Sequence, residues 1–145
     1  MIPTILKIKK TLEENNINYF LSGGSSLFLR KIIKNTKDID FSIKEEDLKK
    51  AKEAFKEEKL LTSNKKAITF YKDGFEIELL LTSEKTDKLS NDILEKKLFD
   101  KIKIKNEEIN LISLKNLLSI YRFVYLRDGK EKHFERIKLI EKLLK

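Results

Sequence analysis

The sequence predicts an α/β or α+β domain, in which a mixed β-sheet is flanked by helices and followed by a pair of C-terminal helices. Short β-rich runs alternate with lysine- and glutamate-rich helical segments over residues 1–112, and only helical periodicity continues over residues 113–145. A length of 145 residues is typical of one domain. We therefore predict a single domain, with residues 1–112 as its α/β core and residues 113–145 as a helical tail.

The first elements follow from a change of period near residue 16. Ile5, Ile8 and Leu12 recur at helical spacing, which predicts a helix over residues 2–15. Residues 17–21 form a short apolar and aromatic run, which is typical of a strand buried on both faces.

A glycine turn follows that strand. Ser22-Gly23-Gly24 interrupts the apolar run, and the hydroxyl of Ser25 or Ser26 can cap a helix that continues over residues 27–33. Glycines let a phosphate approach the backbone, and a helix N-terminus offers free N–H groups to an anion. The same turn also serves as a simple connection, so both interpretations stand on this motif alone.

Two aspartates lie on the next predicted strand, residues 38–43. The period of two residues directs the Asp38 and Asp40 carboxylates to one side, while Ile39 and Phe41 point into the core. Like charges so close repel each other, and a hard dication between them removes the repulsion. A solvated strand edge is the alternative.

The following segments predict a helix and a hairpin. Residues 45–58 are rich in lysine and glutamate, with apolar residues at helical spacing. Residues 67–71 and 75–81 are β-rich runs, and the Asp73-Gly74 pair between them suits a tight antiparallel turn.

The last third of the chain predicts a second hairpin and two helices. Residues 83–100 are loosely helical, and residues 101–105 and 108–112 form two strands around Asn106-Glu107. Ser113 caps a helix through about residue 127, Gly129 ends it, and residues 131–144 form the last helix.

Composition limits the classes of function. Because there is no Cys, disulfides, a thiolate nucleophile and a cysteine-ligated metal are excluded. No apolar run is long enough to cross a bilayer, so we predict a soluble cytoplasmic protein without a membrane partner. The net charge of +8 is concentrated at the two ends of the chain and favours polyanionic partners such as nucleotides or RNA. A lysine-rich surface that serves only solubility is the alternative explanation of this charge.

The order and spacing of the two motifs resemble those of the polymerase-β-like nucleotidyltransferase superfamily. The chain reads Leu21-Ser22-Gly23-Gly24-Ser25-Ser26-Leu27-Phe28-Leu29-Arg30 and then Thr36-Lys37-Asp38-Ile39-Asp40-Phe41, which is similar to small bacterial and archaeal members, including relatives of abortive-infection toxins. The resemblance implies the nucleotidyltransferase fold and a site for a nucleoside triphosphate with Mg²⁺ or Mn²⁺. It assigns metal binding to Asp38 and Asp40.

The resemblance also implies phosphate ligands and a third acid. In that superfamily the Gly/Ser turn binds the triphosphate, and here it is formed by residues Gly23, Gly24, Ser25 and Ser26. Arg30 follows this turn and could either face the phosphates or pair with an acid. Glu78, followed by an apolar run, matches the third acidic position as metal ligand or base, and Glu76 on the same strand face is the second choice. Members usually have Asp there, and Glu reaches one methylene further.

The implied reaction transfers a nucleoside monophosphate from a nucleoside triphosphate to an acceptor hydroxyl and releases pyrophosphate. An RNA end, a protein side chain or a small molecule could supply that hydroxyl. A second hypothesis is a catalytically degenerate module of the same fold that binds nucleotide or RNA, such as one half of a toxin–antitoxin pair with an antitoxin chain as its partner. A third is a basic α/β domain whose motif match is chance.

Overall fold

A seven-stranded β-sheet organises the first 111 residues of the chain. The computed structural model describes residues 1–145, which divide into two units, Met1–Leu111 and Ile112–Lys145. All strands lie in the first unit, and the second is helical. That the two units act as one domain stays a prediction. None of the helices combines the length and apolarity needed to span a membrane.

The sheet is mixed, as the sequence predicts. The first unit contains helices α1 (Ile2–Glu14), α2 (Gly23–Leu29), α3 (Leu48–Ala54) and α4 (Lys88–Lys96), and strands β1 (Phe20–Ser22), β2 (Asp38–Lys44), β3 (Thr62–Ser63), β4 (Ala67–Lys72), β5 (Phe75–Thr82), β6 (Asp100–Ile104) and β7 (Glu107–Leu111). The strand order is β3-β4-β5-β2-β1-β7-β6. The pairs β2–β5 and β1–β7 are parallel and the others antiparallel. The predicted α/β fold class is therefore confirmed.

Strand β2 lies in the middle of the sheet and alternates apolar and polar side chains. Ile39, Phe41 and Ile43 are fully buried in the main hydrophobic cluster, together with apolar residues of α1 and α3. Burial of each such side chain contributes about 1.5–3 kcal/mol. A shift of one residue in the pairing register of β2 would move Asp38 and Asp40 into this core. The hydrophobic pattern therefore determines which face of the strand carries the two carboxylates.

Both predicted hairpins form, with two-residue turns in the left-handed region. The first turn is Asp73-Gly74, with φ of 53° and 85°, as predicted. The second turn is Lys105-Asn106, with φ of 50° and 67°, because β7 begins at Glu107; the predicted turn Asn106-Glu107 is one residue too late. Positive φ at both positions matches the twist of antiparallel strands.

The structure differs from the sequence prediction around α2. This helix covers Gly23–Leu29 instead of residues 27–33, and it ends where Lys31 takes a left-handed φ of 62°. The predicted capping role of Ser25 and Ser26 is wrong. Both lie inside the helix, where their hydroxyls donate to carbonyls three residues earlier along the chain. Interior serines use such local bonds in place of capping.

Other boundaries also differ. The predicted helix over residues 45–58 is reduced to a 3₁₀ turn at Glu45–Asp47 and the short α3, and the two-residue strand β3 was not predicted. Strand β1 covers Phe20–Ser22, so it begins later than the predicted strand at residues 17–21. Such short elements are set by pairing with neighbours more than by local periodicity.

The second unit contains α5 (Leu114–Asp128) and α6 (Glu131–Leu143). As predicted, the Ser113 side chain caps α5 by accepting from the Asn116 N–H at 3.1 Å, and Gly129 ends it with a φ of 65°. The Tyr125 and Phe134 rings pack at 5.4 Å between centroids, which joins the two helices.

The Asp73 carboxylate links the first hairpin turn to α1 and predicts a pH-dependent stability. Hydrogen bonds from Thr4 at 2.9 Å and Lys7 at 3.1 Å lower its pKa below the ordinary value of 3.8. A pKa lowered on folding means that the stabilisation is present above pH 3.8 and is lost as the pH falls through the folded-state pKa.

We expect Asp73→Asn to lower the melting temperature at pH 7, and the difference in melting temperature from wild type to narrow below pH 3.8. Thermal melts across this range, with the exposed Glu57→Gln as control, would refute the linkage if that difference stayed constant.

Candidate active site

Four acidic residues share one face of the sheet at the N-terminal ends of β2 and β5. The two strands are parallel neighbours, and their register pairs Asp38 with Glu76 and Asp40 with Glu78. Because side chains alternate along a strand, all four carboxylates point away from the buried face. A single sheet position thus collects the acids that the sequence predicts from two separate segments.

Three of these carboxylates converge. One oxygen from each of Asp38, Glu76 and Glu78 lies within 4.8 Å of the others, and all three residues are half-buried. Mg²⁺ binds oxygens at about 2.0–2.1 Å, which places ligand oxygens about 3–4 Å apart, so small side-chain rotations suffice to close the cluster. The donor set consists of carboxylate oxygens, and such donors suit Mg²⁺ or Mn²⁺. The residues therefore fit the divalent metal that the resemblance implies.

Asp40 lies beside the cluster and against the glycine turn. A Cβ built on Gly23 would overlap Oδ2 of Asp40 and lie 3.2 Å from its Cγ, so a larger residue at this position would force the carboxylate to move. Gly23 also has a φ of 59°, a left-handed conformation that side chains disfavour. The turn and the acidic strand therefore meet at van der Waals distance, as the order of the two motifs suggests.

The serine hydroxyls face the interior. Ser25 and Ser26 are both fully buried; the Ser25 Oγ donates to the Ser22 carbonyl at 2.9 Å, and the Ser26 Oγ donates to the Gly23 carbonyl at 2.8 Å. These side chains are committed within the fold, so the sequence-based role of Ser25 and Ser26 in holding phosphates finds no support in the geometry. Gly23 and Gly24 are half-exposed and can offer backbone to a ligand. Helix α2 has only seven residues, so its dipole adds little to that offer.

Arg30 pairs with an acid of strand β6. It follows the last residue of α2, about 10 Å along the helix from Gly23. Its Nη2 donates to the Asp100 carboxylate of β6 at 2.8 Å, and its side chain is 13% exposed. Burial lowers the pKa of Arg30, and the Asp100 charge opposes that shift. This is the second of the two roles that the sequence leaves open, and a contact of Arg30 with the phosphates stays a prediction.

The sequence underestimates Glu76. It is the second choice there, whereas the structure places its carboxylate with those of Asp38 and Glu78. A parallel pairing of the DxD strand with strand 75–81 is the signal that could have revealed it, because in this register Glu76 lies directly opposite Asp38.

The fold is that of solved nucleotidyltransferases. The lincosamide antibiotic adenylyltransferase LnuA, bound to lincomycin, matches with a TM-score of 0.69 and 15% identity over 97% of this chain and 96% of that one. ANT(2″)-Ia in complex with adenylyl-2″-tobramycin matches with a TM-score of 0.69 and 13% identity over 99% and 89%. A nucleotidyltransferase candidate from Thermotoga maritima matches with 0.65 and 18% over 99% and 91%. No protein-family model and no curated protein sequence matches the chain, so the likeness is one of fold.

Proposed function

We propose that the chain is a metal-dependent nucleotidyltransferase that moves a nucleoside monophosphate from a nucleoside triphosphate to an acceptor hydroxyl and releases pyrophosphate. The observation that carries the proposal is that the Asp40 carboxylate lies against Gly23 of the glycine turn, on the strand that also carries Asp38 of the acidic cluster. A turn without side chains beside convergent carboxylates can hold a triphosphate and its metal together.

The proposed metal ligands are Asp38, Asp40 and Glu78, and Glu76 is a fourth candidate ligand. Bound Mg²⁺ or Mn²⁺ would neutralise charge on the phosphate oxygens and lower the pKa of the acceptor hydroxyl. Glu78 lies opposite Asp40 in the β2–β5 register, which supports a role either as a ligand or as the base that accepts the hydroxyl proton. The longer Glu side chain reaches the cluster from a strand where the superfamily usually has Asp.

The Gly23-Gly24 backbone is the proposed phosphate contact. Both residues are half-exposed, and neither has a side chain to keep the β- and γ-phosphates away from the main chain. In this proposal the hydroxyls of Ser25 and Ser26 take no direct part in the phosphate contact, since they donate to the carbonyls of Ser22 and Gly23.

The acceptor class has three candidates: an RNA end, a protein side chain and a small hydroxyl compound. One structural neighbour is bound to lincomycin and another to adenylyl-2″-tobramycin, which supports a small hydroxyl compound. The charge of +8 and its concentration at the chain ends supports RNA.

The experiment that tests the proposal incubates the purified chain with each labelled nucleoside triphosphate and Mg²⁺ or Mn²⁺. Total RNA, total protein and a set of small hydroxyl compounds serve in turn as acceptors. We expect a labelled product and pyrophosphate with wild type, and neither with the Asp38→Ala/Asp40→Ala double variant. Absence of turnover with every acceptor, under conditions where the chain is folded, would contradict the proposal.

A catalytically degenerate module of the same fold is the second candidate. The observation that favours it is Glu78 on β5, at the position where the superfamily usually has Asp. Such a module would bind a triphosphate in a metal-dependent way without turnover. Membership of a toxin–antitoxin pair, with an antitoxin chain as partner, rests only on the resemblance to abortive-infection proteins. Calorimetric triphosphate binding without turnover would favour this second candidate.

A further inference from the structure

One buried hydroxyl joins three of the segments that build the candidate site. Ser25 is fully buried, and its Oγ donates to the Ser22 carbonyl at the end of β1. The same oxygen accepts from the backbone N–H of Asp40 on β2 at 3.2 Å. Ser25 itself belongs to the first turn of α2. A single side chain thus connects the strand before the glycine turn, the helix after it and the acidic strand.

The position of this bond in the sheet is informative. Ser22 and Asp40 are the last register partners of the antiparallel β1–β2 pair. At this end of the β1–β2 pair, the Asp40 N–H donates to the Ser25 hydroxyl of α2, the helix that follows β1. The backbone that carries the Asp40 carboxylate is therefore held by Ser25 at the point where that carboxylate meets Gly23.

We infer that Ser25 is a positioning residue: its hydroxyl holds the main chain of Asp40 against the glycine turn and so sets where the Asp40 carboxylate can bind a divalent metal. The inference rests on the proposed function. It gives Ser25 a role different from the phosphate contact that the resemblance implies, because its hydroxyl is buried and both of its bonds are internal.

Ser26 provides a matched comparison within the same helix turn. It is also fully buried, and its hydroxyl also donates to a carbonyl three residues earlier, but that bond stays within the glycine turn and does not reach β2. Ser25→Ala and Ser26→Ala therefore each remove one buried hydroxyl of the same kind. Only the first removes a bond to Asp40.

The test titrates each variant with Mn²⁺ alone, followed by electron paramagnetic resonance, and measures amide hydrogen exchange at Asp40. Thermal melts establish that both variants are folded. We expect Ser25→Ala to exchange faster at Asp40 and to bind Mn²⁺ about tenfold more weakly, the scale typical of residues that orient metal ligands. Ser26→Ala is expected to keep the wild-type values of both. If Ser25→Ala does not fold, Ser25→Cys, which keeps a similar volume with weaker hydrogen bonding, replaces it.

The outcomes separate the two proposals. Wild-type Mn²⁺ affinity in the folded Ser25 variant, or an equal loss in Ser26→Ala, overturns the positioning role and leaves the proposed function standing. A wild-type chain that binds no Mn²⁺ and transfers no nucleotide overturns the proposed function and this inference together. Weaker Mn²⁺ binding confined to the Ser25 variant supports the inference, because a general loss of stability would affect both serines alike.

Discussion

Asp38→Asn is expected to abolish most nucleotidyl transfer while making the metal-free protein more stable. The substitution keeps the side-chain size and removes one of three carboxylates whose oxygens lie within 4.8 Å of one another. Without metal these like charges repel, and relief of about 1 kcal/mol is reasonable for half-buried groups. That change would raise the melting temperature by about 2–4 °C in a chain of this size. Turnover should fall by at least about 100-fold, since the metal loses a ligand.

The prediction is specific because turnover should fall while the melting temperature of the metal-free protein rises. Melts with and without Mn²⁺, together with the transfer assay, measure both effects on the same samples. Glu57→Gln removes one negative charge from an exposed position outside the cluster, and it should change neither quantity. Retained turnover in Asp38→Asn would contradict the metal-binding role of this residue. A lower melting temperature without metal would indicate that the carboxylate has a structural partner.

Gly23→Ala should destabilise the fold and remove activity by displacing Asp40. An alanine at a φ of 59° costs about 1–2 kcal/mol in backbone strain. Its Cβ would also overlap the Asp40 Oδ2, so the carboxylate or the turn must move. We expect a loss of about 2–4 kcal/mol in the free energy of unfolding, combining that strain with the overpacking. Chemical denaturation gives this value, and the transfer assay gives the activity.

Gly129→Ala isolates the strain from the overlap. Gly129 has a φ of 65°, close to that of Gly23, and nothing lies within 4 Å of an added Cβ. This variant should lose only the strain energy, and the difference between the two variants measures the contact with Asp40. Equal losses of stability, or wild-type turnover in Gly23→Ala, would show that the carboxylate does not depend on this glycine.

Most of the fold could be predicted because its signals are local. The alternation in residues 38–43 determines the two faces of β2, and the Asp73-Gly74 pair determines a hairpin turn. Ser113 and Gly129 mark the two ends of α5 in the same way. Each signal depends on side chains and dihedral angles within a few residues of one another. The sequence does not predict the bounds of short elements such as α2 and β3, because these depend on partners elsewhere in the chain.

The sequence leaves several features of the candidate site open, and these features share one cause. The sequence could rank Glu78 above Glu76 by resemblance, but only the β2–β5 register places Glu76 opposite Asp38. Arg30 had two possible roles, and its partner Asp100 lies 70 residues further along the chain. The sequence allows Ser25 to contact a phosphate or to cap a helix, whereas in the structure its hydroxyl bonds the Asp40 N–H between α2 and β2.

The sequence by itself therefore determined the residue types and the strand face that carries each of them. Two aspartates share one face of one strand, two glutamates share one face of a second strand, and a glycine turn can approach a phosphate. Periodicity and turn chemistry act over a few residues, so they are readable without a structure. Only the tertiary structure decided which acids converge, which hydroxyls are buried and which partner Arg30 takes. Those outcomes depend on strand pairing and packing between distant segments, where the buried apolar face of the sheet sets the register and the polar face follows it.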